Sequence, residues 1–215
     1  MMKKIFWKGI SGLLQIVFMI VLPFALLLKG SVWLHQSYGW PTIFALMAMF
    51  ATVFLVLLVY VAMLWDWIVG PGKMSRRSIK FKSGLVFLLL LGFIGTTIFH
   101  LKSSHVKEPG IQAEYFQLHP LLRLGLGTFI LMDSDLLVTD MARTPHDYDK
   151  MGLPRNQQSL HYPQDDGYAY AMDLRTKGHP EFRNRSMALF FELMGFETLR
   201  HVGTADHLHV ALTPH

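Results

Sequence analysis

Cysteine is absent from the 215-residue chain. Disulfides, cysteine nucleophiles, iron–sulfur clusters and cysteine-type zinc sites are therefore excluded. The compartment stays open, because a domain without thiols tolerates an oxidising environment as well as a reducing one. Acidic residues are nearly absent from the first half. Residues 1–101 hold nine Lys/Arg and one acid, Asp66, whereas residues 102–215 hold eleven Lys/Arg and fourteen Asp/Glu. The overall charge of +5 thus belongs to the first half, and no basic nucleic-acid face is implied. Internal repeats and low-complexity tracts are missing too. What is abundant is apolar surface: 52% of residues are apolar and the mean hydropathy is +0.32, high for a soluble domain. Ten of the eleven histidines lie at or after residue 100, which points the second half toward metal or acid–base chemistry.

Three apolar runs fill residues 1–101. Ile10–Leu28 has 19 residues without a charge, Ile43–Trp65 has 23, and Leu85–Leu101 has 17 with His100 alone titratable. A bilayer core of about 30 Å needs about 20 such residues, so three transmembrane helices are expected over about 10–28, 43–65 and 85–101. Trp7, Trp33, Trp40, Trp65 and Trp67 stand near the run ends, where indoles favour the membrane interface. Lys3, Lys4 and Lys8 precede the first run, and Lys73, Arg76, Arg77, Lys80 and Lys82 fill the loop 70–83, while the loop 29–41 holds Lys29 alone. The positive-inside rule then sets the N-terminus and the second loop in the cytoplasm. Residues 102 onward fall outside, in a bacterium the periplasm or outer face of the cytoplasmic membrane.

Residues 102–112 read as a polar linker and 113–215 as one small extracytoplasmic domain. Within it, His119–Leu131 reads as a helix or helix pair broken by Gly125 and Gly127. Asp135–Ala142 is strand-like, and Arg143–Leu160 is a long loop with Pro145, Gly152 and Pro154. Gly167–Leu174 alternates as a strand, with Ala169, Ala171 and Asp173 on one side. Pro180–Met194 is a helix closed by Gly195, and Phe196–Val202 and Leu208–Leu212 are closing strands. Strands and helices mix without βαβ regularity, so the class is α+β with a small antiparallel sheet.

Three features carry chemistry: Ser159-Leu160-His161, Asp173, and Asp206-His207-Leu208-His209. A hydrolytic zinc needs three N or O ligands, an open position, and a carboxylate nearby to take a proton. His161, Asp173 and His209 suit the ligand role and Asp206 the base. Ala169 and Ala171 beside Asp173 leave room for a metal and a peptide. In a regular strand His207 and His209 share a face and Asp206 takes the other, so His207 stands as an alternative ligand. Asp165 and Asp166 stand as alternatives to Asp173, although Asp165-Asp166-Gly167 reads first as a turn.

Ser-x-His, Ala-x-Asp and a late Asp-x-x-His resemble the pattern of the zinc D-Ala-D-Ala carboxypeptidase and L-alanyl-D-glutamate peptidase family, which shares its fold with the Hedgehog signalling domain. The resemblance covers about residues 115–213. Its His-to-Asp step is seven residues; here it is twelve, with Tyr162–Asp166 as a five-residue insertion. The resemblance implies zinc hydrolysis of bacterial cell-wall peptides. It implies His161, Asp173 and His209 as Zn2+ ligands and Asp206 as general base. Arg143 would steady an oxyanion or substrate carboxylate, and Ser159 would line the substrate pocket. The expected protein is a membrane-anchored zinc peptidase acting on peptidoglycan stem peptides or cross-links, with peptidoglycan peptide and the bilayer as partners and no nucleic acid. The alternative is a catalytically degenerate module that binds cell-wall peptide or protein within an envelope complex. A transporter is disfavoured, because no charge stands in the centre of a run.

Overall fold

The computed structural model describes residues 21–69, 76–152, 154–203 and 206–214. Three long helices come first: α1 over 21–38, α2 over Thr42–Val69 and α3 over Arg76–Phe99. Gly39, at φ 65°, ends α1 in the left-handed conformation, which glycine adopts without a Cβ penalty, and Pro41 precedes the first residue of α2. α2 and α3 are each long and apolar enough to cross a membrane. Their 28 and 24 residues correspond to about 42 and 36 Å of helix. They pack together with Phe50 edge-on to Phe87, while Leu55, Val59 and Leu88 are exposed. Of the first expected span, residues 10–20 lie outside the described residues, as do Lys3, Lys4, Trp7, Lys8 and Lys73. The basic stretch expected in a loop is partly helical: α3 starts at Arg76, so Arg76, Arg77, Lys80 and Lys82 sit on its first turns. Long Lys and Arg side chains are good helix formers, which explains the extension.

Residues 102–112 are structured rather than a free linker. Ser103–His105 forms a 3-10 turn, α4 spans Pro109–Ala113, and Val106 bridges Val138. His105, Val106 and Ile111 are buried, and burial of those groups holds the segment down. α5 spans Pro120–Ile130 without a break at Gly125 or Gly127. Both glycines serve close approach instead. A Cβ on Gly127 would lie 2.5 Å from the Thr97 carbonyl oxygen, and one on Gly125 would lie 3.0 Å from the Phe196 ring. α5 thereby seats directly on α3.

The domain's sheet runs β1 (Val138–Asp140), β2 (Ala171–Arg175), β4 (His207–Ala211), β3 (Glu197–His201), all antiparallel. The expected long loop 143–160 contains α6, Pro145–Met151, opened by a capping box between Thr144 and Asp147. α7 spans Glu181–Met194 and stops at Gly195, φ 99°. One sheet face, with Met172, Leu174, Leu208 and Val210, is buried in the core with Leu124, Met187, Phe191 and Phe196. The other face carries the polar residues Asp173, His207 and His209.

Candidate metal centre

The register of β2 and β4 builds the site. Asp173 pairs directly with His209 across the strands, and Asp140 on β1 is the neighbour of Asp173 on the other side. Directly opposed residues share a sheet face with their Cβ atoms close, so the three project together. His161 arrives from the turn after α6. Its backbone is pinned by Arg143 N–H to His161 C=O (2.7 Å) and by the neighbouring Tyr170 N–H to Leu160 C=O (2.6 Å). Ser159 shapes that turn: its Oγ accepts from His161 N–H at 3.3 Å, and its carbonyl accepts from Tyr162 N–H and from the Gln164 side chain.

His161 Nε2 lies 3.3 Å from His209 Nδ1 and 3.3 Å from Asp173 Oδ1, and His209 Nδ1 lies 2.9 Å from Asp173 Oδ1. A tetrahedral ion with bonds of about 2.0–2.2 Å sets its donors about 3.3 Å apart. His161, Asp173 and His209 therefore lie close enough to bind one metal ion. The His161 Nδ1–H donates to the Met141 carbonyl at 2.6 Å, the kind of bond that fixes the tautomer and turns the Nε2 lone pair toward a metal. His161 and Asp173 are buried and His209 is half-buried, so the site opens on the His209 side. Burial works against the charge of Asp173, yet with His161 protonated at Nε2 and His209 at Nδ1 their hydrogen bonds hold its carboxyl well below the usual carboxylate range, and an ion would take the place of those protons. It stays ionised, as a ligand requires.

Arg143 stands beside the cluster. Its Nε donates to Asp140 Oδ2 at 2.6 Å, its Nη2 pairs with the same oxygen, and Nη2 is 3.7 Å from Asp173 Oδ2. His207, on the same face as His209, is 3.7 Å from Asp173 Oδ2 and stacks on His201 at 4.8 Å. Asp165 is exposed, and Asp166 accepts from the Tyr170 hydroxyl at 2.8 Å. The Tyr162–Asp166 segment thus forms a turn, and Asp173 is the carboxylate in the cluster.

Asp206 is held elsewhere. Arg200 grips it through Nε at 2.9 Å and Nη2 at 3.0 Å, and the Thr176 hydroxyl donates to it. Arg200 also reaches Glu181 on α7, so this network lies on the helix-covered side of the sheet, away from His209. The bidentate Arg200 bond and the Thr176 bond push the Asp206 carboxyl down to about 2, which makes it a weak base. Sequence reasoning missed Glu114. Burial first, then repulsion from Asp140 and Asp147, raises its carboxyl to about 7, with the Met141 and Ala142 amides partly offsetting the rise. One of its oxygens is buried without a hydrogen-bond partner. It lies behind the same Met141–Ala142 segment whose carbonyl orients His161. Also missed was Asp140, three residues before Arg143, an i,i+3 spacing that was open to reading.

Fold and site define a class: a small α+β domain that rests on long apolar helices and displays a His–Asp–His cluster with metal-binding spacing. Comparison with protein-family models, with curated proteins and with solved structures found no match to this chain.

Proposed function

We propose that the protein is a membrane-anchored zinc peptidase that hydrolyses an amide bond in peptidoglycan stem peptides or cross-links. The observation that carries this reading is the trio of donor atoms at tetrahedral-edge separations, with a guanidinium 3.7 Å from the Asp173 carboxylate. When bound, zinc supplies Lewis acidity toward an amide carbonyl and lowers the pKa of water toward 7. His161, Asp173 and His209 hold the ion, and the Met141 carbonyl keeps His161 in register. Arg143, anchored by Asp140, stabilises negative charge on the substrate oxygen or pairs with a terminal carboxylate. The family resemblance gives the role of base to Asp206, which faces the other side of the sheet; Glu114, coupled electrostatically to Asp140 beside the cluster, is the carboxylate with raised proton affinity. The helices α2 and α3 keep the domain at the outer face of the cytoplasmic membrane, near nascent wall.

The grip of Arg200 on Asp206 favours a second reading, a catalytically degenerate module that binds cell-wall peptide or protein without turnover. One experiment separates the two. The full chain, purified in detergent after zinc loading, is assayed for zinc and for D-alanine release from a stem pentapeptide ending in D-Ala-D-Ala. About one zinc per chain, lost in His161→Ala, Asp173→Ala and His209→Ala, together with D-alanine release, supports the peptidase. A 10²–10⁴-fold rate loss in Asp206→Asn or in Glu114→Gln then identifies the proton acceptor. Zinc without hydrolysis supports the binding module. Absence of zinc overturns the peptidase and leaves the binding module as the better account.

A further inference from the structure

A cavity of about 870 Å³ opens between α2, α3 and the start of α5. That volume lies within the range of about 300–1,000 Å³ usual for small-molecule sites. Its walls are almost wholly apolar, with Leu46 and Phe50 from α2 and Ile94 and Ile98 from α3, and at one end stand Arg123 and Tyr168. Arg123 is the unusual member. It is only 5% exposed. Its Nη1 reaches the Ile98 carbonyl at 3.4 Å, its guanidinium lies 5.7 and 5.5 Å from the Tyr115 and Phe116 ring centres, and its Nε has no hydrogen-bond partner. Among the described residues no carboxylate pairs with it. A guanidinium remains protonated at neutral pH, and a buried cation without a counter-charge is costly.

The level of this cation in the fold is informative. Ile98 is the next-to-last residue of α3 and Thr42, which also lines the cavity, is the first of α2. Arg123 therefore sits where both apolar helices end, at the height of lipid headgroups when α2 and α3 span a bilayer. Apolar walls run from it toward the helix centres.

We propose that this cavity binds a membrane lipid with an anionic phosphate headgroup, one chain lying between α2 and α3 and the phosphate paired with Arg123. Arg is suited to the task, since its planar donors match phosphate oxygens. A phosphate oxygen would supply the acceptor that the Arg123 Nε–H lacks. The inference rests on the membrane reading and is independent of the metal centre.

The test uses the full chain. Carbonate extraction of membranes comes first, and recovery in the soluble fraction overturns the membrane reading and the lipid site with it. For chain retained in membranes, native mass spectrometry from detergent compares dioleoylphosphatidylglycerol with dioleoylglycerol, which has the same chains without phosphate. Inorganic phosphate is the third arm. The proposal expects at least tenfold tighter binding of the phosphatidylglycerol. Arg123→Gln brings the two lipids within twofold, and Ala51→Trp, which fills the groove and leaves Arg123 in place, weakens phosphatidylglycerol at least tenfold. Equal binding of both lipids by the native chain overturns the proposal, as does a preference that survives Arg123→Gln. Competition by millimolar phosphate alone, equal to that by the lipid, also overturns it in favour of a free-anion site. Should Arg123→Gln fail to fold, the native chain and Ala51→Trp still decide the outcome.

Discussion

At His161 the two ring nitrogens have different partners. Nδ1 is committed to a backbone carbonyl, and Nε2 faces Asp173 and His209. That division of labour is invisible in Ser-x-His as a string of letters, although the string named the right histidine. Asp206 shows the opposite. Its spacing to His209 suggested a base, while the partner that disarms it, Arg200, comes from a different strand six residues earlier. Alternation along β4 did anticipate that Asp206 and His209 face opposite ways. Glu114 gives a prediction at this scale. Its folded pKa, about 7, lies above the ordinary 4.5, so between those values the native state holds a proton that the unfolded chain has lost. Stability then falls as pH rises from 4.5 to 7 on account of this one group. Glu114→Gln removes the penalty. Melting curves of the full chain in detergent should show the variant gaining on the native protein across that window. A pH-independent difference would show that Glu114 does not titrate there.

Helices and strands were legible where one physical signal dominated. Pro180, the apolar stripe and Gly195 delimited α7 nearly to the residue, and uncharged length gave α2 and α3. The register of β2 against β4, which makes the site, was not legible, because it is set by which faces find a core across the sheet rather than by either strand alone. α5 was misread for a related reason. Glycine weakens a helix by about 1 kcal/mol relative to alanine in isolation, and so looked like a breaker. In the fold Gly127 is where α5 meets the α3 backbone. Gly127→Ala is therefore expected to destabilise by about 1–3 kcal/mol, since the new methyl meets Thr97 backbone atoms that cannot move aside. Gly125→Ala meets ring edges of Phe196 and, at ordinary contact distance, Phe191, and the gain in helix propensity offsets the crowding. Denaturant midpoints of the two variants should differ in that order. Equal losses would mean that the α3–α5 approach is looser than described.

The largest scale concerns how far the second half of the chain stands alone. Read as sequence, it separates from the apolar half through a polar linker, and composition favours that division. The contacts cross it repeatedly. Tyr115 donates its hydroxyl to the Thr97 carbonyl at 2.8 Å, Gln112 donates to Leu101 C=O at 2.8 Å, and Arg123 reaches Ile98 C=O. His119 accepts from Leu121 N–H at Nδ1, which leaves Nε2–H to donate to the Thr42 hydroxyl at 2.9 Å, and its ring stacks on His35. Burial, then the nearby His35 and Arg123, drives the His119 imidazole down to about 3, so it stays neutral and this junction does not loosen through it at neutral pH. On the far side, Lys29 of α1 donates to the Leu193 carbonyl in the last turn of α7 at 2.6 Å, where a cation satisfies a helix end. The last carbonyls of α3 and of α7 are thus both capped across the boundary. A fragment of residues 102–215 would uncover the side of α5 that lies on α3, along with the partners of Tyr115, His119 and Arg123. An exposed apolar face of that kind drives association. The fragment should therefore self-associate in size-exclusion chromatography, or melt without the cooperative transition of the full chain. A monomeric fragment that melts cooperatively at the temperature of the full chain would show that the helices add only an anchor, and that the cross-boundary bonds contribute nothing measurable to the fold.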